Sequence, residues 1–283
     1  MSNRIKQLRQ ITSGTPTADG NGVRLTRLIG NNELNVLDPF LLLDVIESDE
    51  SQDYIGGFPE HPHRGFETVT YLLNGQMFHK DSTGREGVIE SGGVQWMTAG
   101  KGILHSEMPQ QENGLLHGFQ LWINLPAKEK MQVPSYQEFS IEEIPLEYLD
   151  NGSVVRVVTG QTDKGTTGPI VNVHVRPVFL DVSLQGEDVF RQTVSSIDNT
   201  FIYVIEGDLS VGAPPRKLGQ RQLGILYEGD LVIVKTDRKS RFLFVSAQPI
   251  NEPIARGGPF VMNTREEVLK AFDDYRNNQL VDN

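Results

Sequence analysis

The sequence predicts an all-β chain, two β-barrels in tandem followed by one C-terminal helix. Three features lead there: strand-length apolar runs between Gly and Pro, an internal repeat, and one amphipathic segment near the end.

The 28 Gly and 15 Pro recur between apolar runs of about five to eight residues, the length of strands rather than helices. Such runs span Thr68–Leu73, Gly93–Met97, Gly118–Ile123, Val154–Val158, Phe179–Leu184, Thr200–Ile205, Leu231–Lys235 and Arg241–Ser246. That density predicts a sandwich or barrel.

Laying Gly75 on Gly207 matches "TVTYLLNGQM" to "TFIYVIEGDL", a shift of 132 residues. Further on, "ESGGVQWM" falls on "YEGDLVIV" at a shift of 137, with the Gly/Pro-rich "GAPPRKLGQRQLG" absorbing the difference. Two similar domains follow, with a boundary between Pro134 and Ser153. The expected division is 1–140 and 141–283, the second domain ending in the helix.

That helix is read from "NTREEVLKAFDDYRNNQL". Thr264 and Glu267 have the spacing of a capping box, and Val268, Leu269, Phe272 and Tyr275 share a face that would dock on the β-core. Ser140–Ile144 before Pro145 is a second, single-turn candidate.

Composition narrows the function. The 283 residues are enough for two domains with real cores, and 37 acidic against 26 basic side chains give a net charge of −11. That charge repels a phosphate backbone, so direct nucleic-acid binding is not expected. There is no apolar leader and no window resembling a membrane span, so a cytoplasmic protein without a membrane partner is expected. The chain has no Cys, which excludes disulfides and leaves any metal to His and carboxylates.

Six histidines are present, and two lie one residue apart in "HPHRGFETVTYLLNG". Strand side chains alternate faces, so His61 and His63 point the same way. His105 and Glu107 in "GKGILHSEMP" repeat the spacing. Together they offer three neutral imidazoles and one carboxylate, leaving one or two open positions on a six-coordinate ion, as chemistry or ligand binding requires. A lone HxH is more often incidental; the pairing gives the pattern its weight. At the repeat shifts, His61 and His63 become Thr193 and Ser195, and His105 and Glu107 become Phe242 and Phe244. The metal site is therefore expected in the first domain only. Glu67 lies on the same face as His61 and His63, so by alternation it competes with Glu107 as ligand or serves behind an imidazole.

The other histidines carry less. His79 follows a hairpin turn and is expected in solvent; His117 reads as core or edge, and His174 has no partner in the pattern. Lys101, between glycines, reads as a flexible turn. Phe58, Phe66, Met77 and Trp96 are core candidates that would also suit the flank of a flat ring.

"FPEHPHRGFETVTYLLNG", "VQWMTAGKGILHSEMP", "LWINLP" and "GGPFVMNTREE" resemble the signature segments of the pirin family of the cupin superfamily, over about residues 20 to 275. The resemblance implies two cupin barrels, a bicupin. It implies one divalent metal, Fe2+ first, with Mn, Co, Ni, Cu or Zn as alternatives, on His61, His63, His105 and Glu107, which favours Glu107 over Glu67. "GKG" and Pro109 depart from the general cupin second motif in the way pirins do. It further implies an oxidoreductase, a quercetin 2,3-dioxygenase acting on a flavonol-like aromatic substrate with Glu107 as general base. The alternative it implies is a metal- or redox-dependent regulator acting through a protein partner, as for eukaryotic pirin.

Overall fold

The computed structural model describes residues 4–281. Every expected strand forms, and they assemble into two compact units. One comprises 15–141 and 250–283, the other 1–14 and 142–249.

In the first unit a seven-stranded antiparallel sheet runs in the order Ser135–Phe139, Val94–Thr98, Phe66–Asn74, Leu116–Asn124, Phe40–Ser48, Val23–Ile29, Thr15–Asp19. A four-stranded sheet runs Phe58–His63, Ile103–Pro109, Met77–Asp81, Glu86–Ile89. Val23, Leu25, Ile46 and Leu72 of the large sheet share one core with Met77 and Ile89 of the small one, so the two sheets pack face to face.

The second unit repeats this order. Its seven strands run Gln7–Thr12, Leu223–Tyr227, Asn199–Glu206, Ser240–Ala247, Val178–Leu184, Val154–Thr159, Leu146–Tyr148, and its four run Asp188–Thr193, Leu231–Thr236, Asp208–Val211, Arg216–Gly219. Gly75 and Gly207 both turn at positive φ, +101° and +82°, where a side chain is strained, so the hairpin that anchored the repeat is real.

The division at 140 does not match these units. Gln7–Thr12 pairs with Leu223–Tyr227 and takes, in the second unit, the edge that Ser135–Phe139 takes in the first. Leu8 points into the second unit's core. Conversely, the C-terminal hairpin Ala255–Gly257/Phe260–Met262 and the helix Arg265–Arg276 fold with the first unit. The capping box forms in full, Thr264 accepting from the Glu267 N–H and Glu267 from the Thr264 N–H. The docked face is Val268, Ala271 and Phe272, the last edge-on to Phe260 at 4.9 Å; Leu269, expected inside, is 52% exposed. Residues 141–144 form a turn instead of a helix. No helix among the described residues is long and apolar enough to cross a membrane.

The strand order also corrects the repeat. Ile103–Pro109 corresponds to Leu231–Thr236, whereas Phe242 and Phe244 lie on Ser240–Ala247, the counterpart of Leu116–Asn124. On the corresponding strand pair the second unit buries Val234 opposite Phe190 and Val232 opposite Gln192. With Leu8, Phe190, Phe242 and Phe244 in one apolar cluster, its interior is filled.

Leu8→Ala should therefore cost about 2–5 kcal/mol, as expected for a buried leucine that leaves a cavity. Urea unfolding of the full chain checks it, and an unchanged midpoint would contradict the placement of this strand.

Candidate metal centre

The small sheet of the first unit gathers the imidazoles. His105 stands directly across from His61, and Ile103 from His63, in the ladder between Phe58–His63 and Ile103–Pro109. The three ring centroids lie 4.3–4.9 Å apart, and one nitrogen from each fits within 4.8 Å of the others. Among the described residues this is the one such group of three or more potential metal ligands.

Chemistry and geometry both suit a metal. The Nε2 atoms of His61 and His63 are 3.0 Å apart, which with bonds of about 2.1 Å corresponds to adjacent ligands at about 90°. His61 Nδ1 lies 2.8 Å from the Pro59 carbonyl and His63 Nδ1 3.4 Å from the Pro259 carbonyl. With Nδ1–H donating there, each Nε2 keeps its lone pair for an ion. His105 is 2% exposed, and neither of its nitrogens has a hydrogen-bond partner. A buried polar atom without a partner is costly, and a metal–nitrogen bond relieves that cost. Burial, then the neighbouring His61 ring, holds His63 well below the ordinary imidazole range; burial, then the His63, His61 and His79 rings, does the same for His105. Both are thus neutral at pH 7, the ligand form.

Glu107 reaches the same cavity but is not gathered with the three rings. Its carboxylate accepts from Thr70 Oγ1 at 2.6 Å and from Gln120 Nε2 at 2.8 Å. Glu67 is buried, accepts from Thr98 Oγ1 at 2.8 Å and does not line the cavity.

The cavity holds about 550 Å³. Alternate residues of three neighbouring strands face it: Leu25 and Arg27; Leu42, Asp44 and Ile46; Gln120 and Trp122. Arg27 bonds Asp44 through two nitrogens and also reaches Asp19. Burial raises Asp44 despite that pairing, whereas at Asp19 burial is outweighed by the Arg27 and Gly20 N–H bonds, which lower it. Of the four ring-flank candidates, Phe58 lines this cavity, while Phe66, Met77 and Trp96 are buried core. The indole at the cavity is Trp122, edge-on to His63 at 5.1 Å.

Two contributions escaped sequence reasoning. His79 is fully buried rather than solvated: it sits opposite Glu107 on the next strand, bonds Asp81 at 3.1 Å and lies 5.4 Å from the His105 ring. Alternation in "MFHKD" carries the signal, since His79 and Asp81 share the face of Met77. The other contribution is the C-terminal hairpin, which brings Arg256, Gly258 and Pro259 to the cavity. Gly65, at φ +88°, permits its approach, because a Cβ there would fall 2.0 Å from the Val261 carbonyl oxygen. Arg64 pairs with Asp274 of the helix, and the Lys130 ammonium donates to Gly65 O, Asn124 Oδ1 and Val261 O at 2.6–2.9 Å.

Residues 22–123 match the family model described as pirin, and residues 179–281 match the pirin C-terminal cupin domain. The chain is 49% identical over 273 residues to a pirin-like protein of Caulobacter vibrioides, covering 96% of this chain and 98% of that one. It is 43% identical over 267 residues to the pirin of Homo sapiens, covering 92% and 89%. Among solved structures, a quercetin 2,3-dioxygenase from Acinetobacter baumannii matches with a TM-score of 0.88 and 33% identity over 98% of each chain.

Replacing His61, His63 or His105 by Ala should weaken divalent-metal binding by at least about tenfold, read as metal content after dialysis. Lys130 gives a pH test. Burial lowers its pKa from 10.5 to about 8, so between those values the unfolded chain binds more protons. Its contribution to stability is at a floor below pH 8 and rises to pH 10.5, by up to about 3 kcal/mol. The stability difference between the native chain and Lys130→Met should shift by that sign across pH 8–10.5; a flat difference would contradict it.

Proposed function

Since the chain belongs to the pirin family of cupin proteins, we propose that it is a metal-dependent dioxygenase that opens the ring of flavonols such as quercetin. His61, His63, His105 and Glu107 would hold one divalent ion, iron(II) first. The observation that carries this reading is the trio of imidazoles gathered within 4.8 Å, His63 and His105 buried, with His61 and His63 at the wall of a cavity that also presents a carboxylate and apolar side chains. The quercetin 2,3-dioxygenase from Acinetobacter baumannii, 33% identical across the chain, supports it.

Held by these imidazoles, a divalent ion would supply Lewis acidity, which lowers the pKa of an enolic hydroxyl. The protein's own groups supply the rest. Glu107, oriented by Thr70 and Gln120, takes the hydroxyl proton as general base. Phe58, Leu25, Leu42 and Ile46 surround the flat ring with apolar atoms and exclude water. Both atoms of dioxygen enter the opened product and carbon monoxide leaves.

The test is quercetin consumption with carbon monoxide release by protein loaded in turn with Fe, Mn, Co, Ni and Cu. Activity should fall at least about a hundredfold in His61→Ala, His105→Ala and Glu107→Ala variants that retain their fold. Absence of turnover with every metal would refute the proposal. Metal-dependent capture of a protein partner by such an inactive protein would then favour the regulatory reading.

A further inference from the structure

The two arginines at the cavity are bonded differently. Arg27 donates from Nε and Nη2 to the Asp44 and Asp19 carboxylates. Arg256 makes one long bond, Nη1 to the Leu41 carbonyl at 3.3 Å, and among the described residues no ion pair joins it to a carboxylate. Its guanidinium lies over the Trp122 ring, 4.8 Å from the centroid, and Phe66 backs that ring at 4.4 Å. The stack holds the donor fork in one plane, so little freedom is lost when an anion arrives. Trp122 also touches the metal centre, its centroid 5.1 Å from that of His63, which puts the Arg256 Cζ within about 10 Å of that imidazole.

We propose that Arg256 is the anion-recognising group of this cavity, so that its ligand is a flat aryl compound carrying an anionic oxygen group within about 10 Å of the end that faces the imidazoles. The proposal rests on the reading above that the cavity takes an aromatic substrate, and it adds a charge requirement to that class. The selection is local and not one of net charge: Asp19, Asp44, Glu60 and Glu107 line the cavity beside Arg27 and Arg256, and of the two arginines it is Arg256 whose donors are not committed to a carboxylate, so an anion is accepted at that point of the wall. Carboxylate and ionised phenol both accept from the guanidinium fork, the carboxylate through two parallel bonds.

The probes are 2-naphthoate and its methyl ester, of like shape and differing in charge, titrated calorimetrically into metal-free and zinc-loaded full-length protein. The naphthoate should bind about tenfold more tightly than the ester in both forms, the advantage of a charge-assisted over a neutral contact. Arg256→Met should reduce the preference below about threefold, and Arg256→Lys should restore part of it, a point charge replacing a fork. Equal binding of the two probes, binding of neither, a preference that appears only with zinc, or one that survives Arg256→Met would each overturn the proposal. Zinc is redox-inert and the titration reads binding alone. Failure of quercetin turnover with the naphthoate preference intact would therefore sink the dioxygenase reading and leave the anion site standing.

Discussion

A single antiparallel register carries the site. With His105 across from His61 and Ile103 across from His63, alternation brings three imidazoles to one face of a two-strand ladder. A slip of one residue between the two strands would turn one strand's imidazoles to the opposite face, part His61 and His63 from His105 and dissolve the centre. The register is secured just beyond the ligand strand, where Arg64 pairs with Asp274, Gly65 admits the Val261 backbone and Lys130 donates to the Gly65 and Val261 carbonyls. Stability and chemistry meet in these few residues, because what holds the tail also fixes the histidines.

The two units put one topology to opposite uses. In the second, Val232, Val234, Phe190, Phe242 and Phe244 close the interior with apolar volume, which stabilises through burial. In the first, the corresponding interior holds buried His, Glu and Asp around open space. Such an interior costs stability, as functional sites commonly do, and the chain retains a neighbour of the same design in which nothing is given up.

Much of this was legible from residues because it depends on short spacing. Two-residue alternation suffices to set His61 beside His63, and the Thr264–Glu267 cap declares itself in four letters; the same spacing from His105 to Glu107 spans a register shift, and Glu107 is not gathered with the three rings. What depended on distant pairing was not. Gln7–Thr12 is unremarkable alone and becomes a strand by finding Leu223–Tyr227. His79 looked exposed because a turn precedes it, yet the sheet in front of it decides its burial. The second repeat shift slipped by one strand because short alternating β segments resemble one another, so Phe242 and Phe244 stood in for Val232 and Val234. Neither Leu231–Thr236 nor Ser240–Ala247 carries a His, Asp or Glu, so the slip exchanged one apolar strand for another.

The tail that borders the cavity has a bearing on biosynthesis. Pro259, whose carbonyl faces His63, follows it by 196 positions, and Arg256 emerges with it. On the ribosome the imidazole pairs leave the exit tunnel long before the segment that completes their surroundings, so the nascent chain passes through a stage in which the ligands exist without their wall. For an ion taken up by these imidazoles, entry during translation would meet an open basin and entry after release a finished wall.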